Sequence, residues 1–76
     1  MRVRVYLRQA LFSLPGAAGH IPASAAVIDG ALIEVNSFGL GVAVDQWMDE
    51  KGRSLEGAPR QLLIPSSKID HVSYLS

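Results

Sequence analysis

From Arg2 to Arg8 the chain alternates without exception, with Val3, Val5 and Leu7 on one side of the backbone and Arg2, Arg4, Tyr6 and Arg8 on the other. A period of two marks a strand with one face buried and one face wet. Nowhere does the sequence sustain a 3.6-residue apolar period between helix caps, so the expected class is all-β with almost no α-helix.

The remaining segments extend this reading. Ala10-Leu11-Phe12 either lengthens the first strand or bends it around a corner, and Pro15-Gly16 ends it. Prolines, glycines and alanines between Leu14 and Ser24 suit a connecting loop. Ala25 to Ser37 is rich in Val and Ile around Asp29-Gly30, a pair that either closes a tight hairpin or marks a bend in one long strand. Ala25, Val27, Ala31, Ile33 and Val35 share one phase, which favours the bend. After Gly39-Leu40-Gly41, a break or kink, Leu40, Val42 and Val44 alternate with Gly41, Ala43 and Asp45, and a strand runs to about Met48. Asp49-Glu50-Lys51-Gly52 has the residues of a hairpin tip, and Arg53 to Arg60 forms a polar excursion. Gln61 to Ile64 is a short apolar strand stopped by Pro65. Ser66-Ser67-Lys68 then suits a single 3₁₀ turn, and Ile69 to Leu75 a last strand. Four or five short strands at this spacing predict one small, strongly bent antiparallel barrel over residues 1–76.

Size makes that barrel incomplete. A lone core in a chain of 76 residues supplies only a few kcal/mol of net stability. There are no cysteines for a disulfide, and His20 and His71 lack partners at zinc-ligand spacing. Yet 49% of the residues are hydrophobic and only 18% charged, more apolar surface than a chain this short can hide. The expectation is a homo-oligomer in which another copy covers a patch or an edge strand.

Seven basic and seven acidic residues give a formal net charge of zero, which argues against bulk capture of nucleic acid or an anionic membrane. The longest mainly apolar stretch, Ala23 to Val35, is interrupted by Ser24, Asp29, Gly30 and Glu34, and does not reach the length of a spanning helix. The first residues lack the basic head and apolar run of a signal peptide, so the cytoplasm is the expected compartment.

Catalytic signatures are not found. The serines lie in no Gly-x-Ser-x-Gly elbow, and Gly39-x-Gly41 lacks the third glycine and the helix of a phosphate loop. Asp49 and Glu50 at a turn tip are expected to keep ordinary acidity, and Asp70 is expected to point away from His71 because strand neighbours face opposite sides. Neither a metal nor a cofactor is expected, and the chain reads as non-enzymatic. Two candidate sites remain. Arg2, Arg4, Tyr6 and Arg8 project from one strand face at about 6 to 7 Å spacing, suited to tracking a phosphate backbone with Tyr6 stacking on a base. The simpler reading pairs those arginines with carboxylates of a neighbouring strand. Trp47, beside Asp45, Asp49 and Glu50, shares the phase of Ala43 and Asp45, which favours a surface or interface position as a subunit or partner contact, while a place in the core or at a subunit contact is favoured over a ligand site.

The segment Leu62-Leu63-Ile64-Pro65-Ser66-Ser67-Lys68-Ile69-Asp70-His71-Val72 resembles the end of Sm-like and Src-homology-3-like barrels, where an apolar strand stops at proline, a 3₁₀ turn follows, and an aliphatic residue opens the final strand. The paired glycine and asparagine signatures of Sm domains are not in register, and the Sm N-terminal helix has no counterpart before Ala25. The resemblance implies a small barrel that assembles into rings by pairing edge strands of neighbouring subunits; it says little about RNA, and weak binding of RNA or single-stranded DNA is the alternative reading carried by the Arg2, Arg4, Tyr6 and Arg8 face. Edge pairing would also remove an aggregation hazard.

Overall fold

In a computed structural model, residues 1–11 and 24–75 are described. The expectations for Phe12, Pro15-Gly16, the loop to Ala23 and His20 lie outside them.

The alternation at the start becomes β1 (Arg2–Leu11), whose Val3 and Val5 are fully buried. It lies between two antiparallel neighbours, β2 (Ala25–Val35) and, from the far end of the chain, β6 (Ile69–Tyr74). β2 runs on into β3 (Gly39–Met48) through a turn held by the Asn36 side chain, whose Oδ1 accepts from the backbone N–H groups of Phe38 and Gly39. β3 carries two shorter strands on its other edge, β4 (Ser54–Leu55) at its C-terminal end and β5 (Arg60–Pro65) along Gly39 to Val44. The six strands form one antiparallel sheet.

A single 3₁₀ turn, Ser66–Lys68, joins β5 to β6 where the sequence predicts it, and touches both β1 and β3. The Ser66 N–H donates to the Phe38 carbonyl at 2.9 Å. Among the described residues the sheet does not close, since β5 pairs with β3 and β6 with β1 but no ladder joins β5 to β6. The expected barrel is therefore a strongly curved open sheet. It has six strands where about five are expected, because Ser54–Leu55 inside the polar excursion pairs with Met48 and Trp47.

Asp29-Gly30 lies inside a continuous β2, so the bend is what the chain forms. A Cβ on Gly30 would stand 2.2 Å from the Ala43 carbonyl oxygen, so glycine lets β2 and β3 approach at the curve. The β1–β2 register shifts between Tyr6 and Leu11, and at three further places a single residue bulges out of a ladder. Asp45 is the extra residue where Gly30 faces Val44 and Asp29 faces Gln46, Ile33 where Leu32 faces Val42 and Glu34 faces Gly41, and Asp70 where Tyr6 faces His71 and Leu7 faces Ile69. Each bulge adds curvature and shifts the face that later side chains occupy.

The inward set is Val3, Val5, Ala25, Ile28, Val42, Val44, Trp47 and Ile64, with Leu7, Leu32, Leu40, Leu55, Leu62, Ile69 and Val72 packed against it. The in-phase series expected for β2 is corrected here. Ile28 and Leu32 point to the core, whereas Ile33 and Val35 are exposed. Gly30 carries no side chain to display the true inward phase, and the Ile33 bulge shifts the phase of the residues after it.

Candidate functional site

The outer face of β1 is the place to look for a basic row. The neighbouring strands bring a partner to each of its four members. Arg2 Nη1 and Nη2 donate to the Asp45 carboxylate at 2.8 and 2.9 Å, and Arg4 Nε and Nη2 grip the Asp29 carboxylate at the same distances. Both pairs are two-pronged forks, the geometry in which guanidinium and carboxylate fit best. Asp29 is buried at 3% exposure beneath Arg4, opposite which it stands in the β1–β2 register. The Asp45 bulge carries its carboxylate to Arg2. Hydrogen bonding to Arg2 holds the Asp45 carboxyl below its ordinary range, and the two arginines are held above theirs by their carboxylates.

Tyr6 stacks face to face on His71 of β6, ring centroids 4.1 Å apart and planes 11° from parallel, so one ring face is occupied by an internal partner. Arg8 Nε donates to the Ile69 carbonyl at 3.1 Å. The four residues thus form a face laced to β2, β3 and β6, which is the simpler of the two sequence readings.

Trp47 corrects the expected surface position. The Asp45 bulge moves it out of phase with Ala43 and onto the Val42 and Val44 side, opposite Ile28, at 2% exposure. Its indole N–H donates to the Ala58 carbonyl at 3.1 Å, tying the polar excursion to the sheet. The ring is consumed by the core and offers nothing to a partner.

Two further corrections concern carboxylates. Asp49 does not keep ordinary acidity. Its Oδ1 accepts from the N–H groups of Lys51 and Arg53, its Oδ2 from Arg53 Nε, and these bonds, the Arg53 N–H first, hold the carboxyl below the usual range against the opposing effect of burial. Asp70 turns toward His71, its Oδ2 2.7 Å from Nδ1, because the bulge cancels the alternation. Sequence reasoning missed this pair. Both side chains are more than half exposed.

Among the described residues no three His, Asp or Glu side chains converge as a metal site would require, and every buried side-chain polar atom has a partner. What the sheet leaves open is surface of another kind. Among the described residues the outward edges of β5 and β6 meet no further strand. Ile33, Val35, Phe38 and Leu63 lie exposed at one end of the sheet, and Tyr74 and Leu75 beside the β6 edge, each between 43% and 71% accessible. No helix among the described residues is long and apolar enough to cross a membrane.

Comparison with protein-family models, with curated proteins and with solved structures returns no match.

Proposed function

We propose that this chain is a non-enzymatic assembly or binding module that works as a homo-oligomer, its copies joined through the outward edges of β5 and β6. The observation that carries the reading is the open sheet: two strands, Arg60–Pro65 and Ile69–Tyr74, each with one edge unpaired among the described residues, in a chain without disulfides and with large apolar side chains beside both edges. An unpaired edge is a template for a second chain, and pairing satisfies its backbone groups while covering apolar surface. The order β5, β3, β2, β1, β6 with a 3₁₀ turn between β5 and β6 supports the resemblance to Sm-like and Src-homology-3-like barrels. Such a resemblance implies that neighbouring subunits pair through edge strands.

Nucleic-acid binding through Arg2, Arg4, Tyr6 and Arg8 is the weaker alternative. Two of its three arginines are neutralised by forked carboxylates, and a base would have to share Tyr6 with His71.

Sedimentation at micromolar concentration combined with amide exchange tests the proposal. The expected result is a multimer in which exchange across residues 60–65 and 69–74 slows as concentration rises. A strict monomer with concentration-independent edge exchange overturns it. Salt-sensitive uptake of single-stranded oligonucleotide by that monomer, lost on replacing Arg2, Arg4 and Arg8 by Ala, would transfer the assignment to the alternative.

A further inference from the structure

The largest fully buried side chain among the described residues, Trp47, is enclosed on one side by the thinnest element of the sheet. Two strands share the edge of β3 that faces away from β2, and they leave a gap between them. The β5 ladder begins at Arg60 opposite Val44, and β4 contributes only Leu55 opposite Trp47 and Ser54 opposite Met48. Neither ladder includes Asp45 or Gln46. The six residues from Ser54 to Pro59 therefore cross this edge as a strap.

Little holds the strap down. From Lys51 to Arg60 only Leu55 is not exposed, and it packs against the core. The indole N–H of Trp47 donates to the Ala58 carbonyl at 3.1 Å. Both ends, by contrast, are fixed. The Arg53 carbonyl accepts from the Asp49 N–H at 2.9 Å, while the Arg53 N–H and Nε both donate to the Asp49 carboxylate. At Arg60 the chain is already laddered to β3. Releasing the strap breaks two ladder pairs, one indole hydrogen bond and one aliphatic contact, and it returns backbone freedom to six residues.

We infer that Ser54 to Pro59 lifts as a unit from a sheet that stays folded, hinged at the Asp49–Arg53 knot and at Arg60, and that lifting uncovers Trp47 and the β3 edge from Asp45 to Met48. Every other ladder among the described residues runs over at least five paired residues, so β4 is the one strand that parts without carrying the sheet with it. The lifted state presents a third open edge beside those of β5 and β6, and on it an indole whose N–H has lost its acceptor. The closed strap is thus a gate over that edge. This device does not depend on the proposed homo-oligomer.

Hydrogen exchange at the Trp47 indole and at the backbone amides of the folded chain tests it. The indole N–H is expected to exchange at least about tenfold faster than the β1 ladder amides, at a rate that barely changes with urea below the unfolding transition, since lifting exposes little surface. Ile64 stands opposite Leu40, seven residues along β3 from Trp47, and Ile64→Ala hollows the core far from the strap. That variant accelerates the β1 amides at least about tenfold and leaves the indole rate within about twofold of wild type. Leu55→Ala removes the strap's apolar contact and accelerates the indole N–H at least about tenfold. An indole rate that climbs with urea in step with the β1 amides, or rises with them in Ile64→Ala, overturns the inference, because Trp47 is then uncovered only when the whole sheet unfolds. An indole rate unchanged in Leu55→Ala overturns it as well. The urea series uses the wild type alone and stands whether or not Ile64→Ala folds.

Discussion

Replacing Gly30 by Ala puts two opposed effects of known size against each other. Glycine inside a strand normally costs about 0.5 to 1 kcal/mol relative to alanine, because the unfolded chain loses more freedom, so an open site would gain that much from the change. Gly30 is not open. The new Cβ would lie 2.2 Å from the Ala43 carbonyl oxygen, 2.8 Å from its carbon and 2.9 Å from the Val44 Cα, all of them backbone atoms of β3. The closest of these falls about 0.8 Å inside the 3.0 Å that real Cβ contacts respect. No side chain can swing aside, so β2 and β3 must separate at the point of sharpest curvature. Separation weakens one or two ladder hydrogen bonds at about 1 kcal/mol each and displaces buried Val44 and Ile28, for which overpacking of a core costs about 1 to 3 kcal/mol. Strain exceeds the entropic gain, and the expected net loss is about 2 to 4 kcal/mol. A domain of this length holds about 4 to 11 kcal/mol in all, so the variant folds but melts about 10 to 25 °C lower. Thermal and urea unfolding followed by Trp47 fluorescence reads this directly. Gly52→Ala is the control: nothing lies within 4 Å of its Cβ, and only the left-handed φ of +81° opposes the change, at about 1 kcal/mol. A Gly30→Ala protein as stable as wild type, or more stable, would refute the account of β2 as a bend that requires glycine.

Two further outcomes are set by the site geometry. Trp47→Phe loses the hydrogen bond to the Ala58 carbonyl and part of the buried ring, and is expected to cost about 1 to 3 kcal/mol in urea unfolding; a native Trp47 freely quenched by iodide would contradict its burial. Asp45 and Asp49 have folded-state pKa values lowered by their hydrogen bonds, so they bind fewer protons folded than unfolded, and their contribution is present above about pH 4 and lost as pH falls through the lowered values. Asp49→Asn keeps the acceptor for the Lys51 and Arg53 N–H groups but removes this titration. It should flatten the acid limb of a stability-against-pH curve, and an unchanged limb would exclude Asp49 as a contributor.

The readings that survive folding are those carried by local chemistry. Alternation from Arg2 to Leu7 requires a half-buried strand wherever it is placed. Asp49 to Gly52 forms a turn because an acceptor carboxylate and a glycine at positive φ occur at the right spacing. Pro65 followed by Ser66-Ser67-Lys68 yields a 3₁₀ turn for equally local reasons. Three of the readings that fail, the inward phase of β2, the face of Trp47 and the direction of Asp70, depend on counting phase through a bulge. Alternation with Ala43 assigns Trp47 to the outer face, and the extra residue Asp45 reverses that assignment; the same rule separates Asp70 from His71, and the bulge at Asp70 joins them. The basic row on β1 is legible as a row, but its partners Asp29, Asp45 and His71 lie 25, 43 and 65 positions away in the chain, and nothing local selects them.

By itself the sequence determined that this is a helix-poor chain of antiparallel strands, since alternation, turn residues and composition act without reference to distant parts of the chain. Tertiary structure alone decided that the sheet stays open between β5 and β6, that Arg2 and Arg4 are met by carboxylates, and that Trp47 lies in the core. Each depends on register, and register is set where strands from distant parts of the chain meet, at bulges whose one-residue shifts exchange inside for outside.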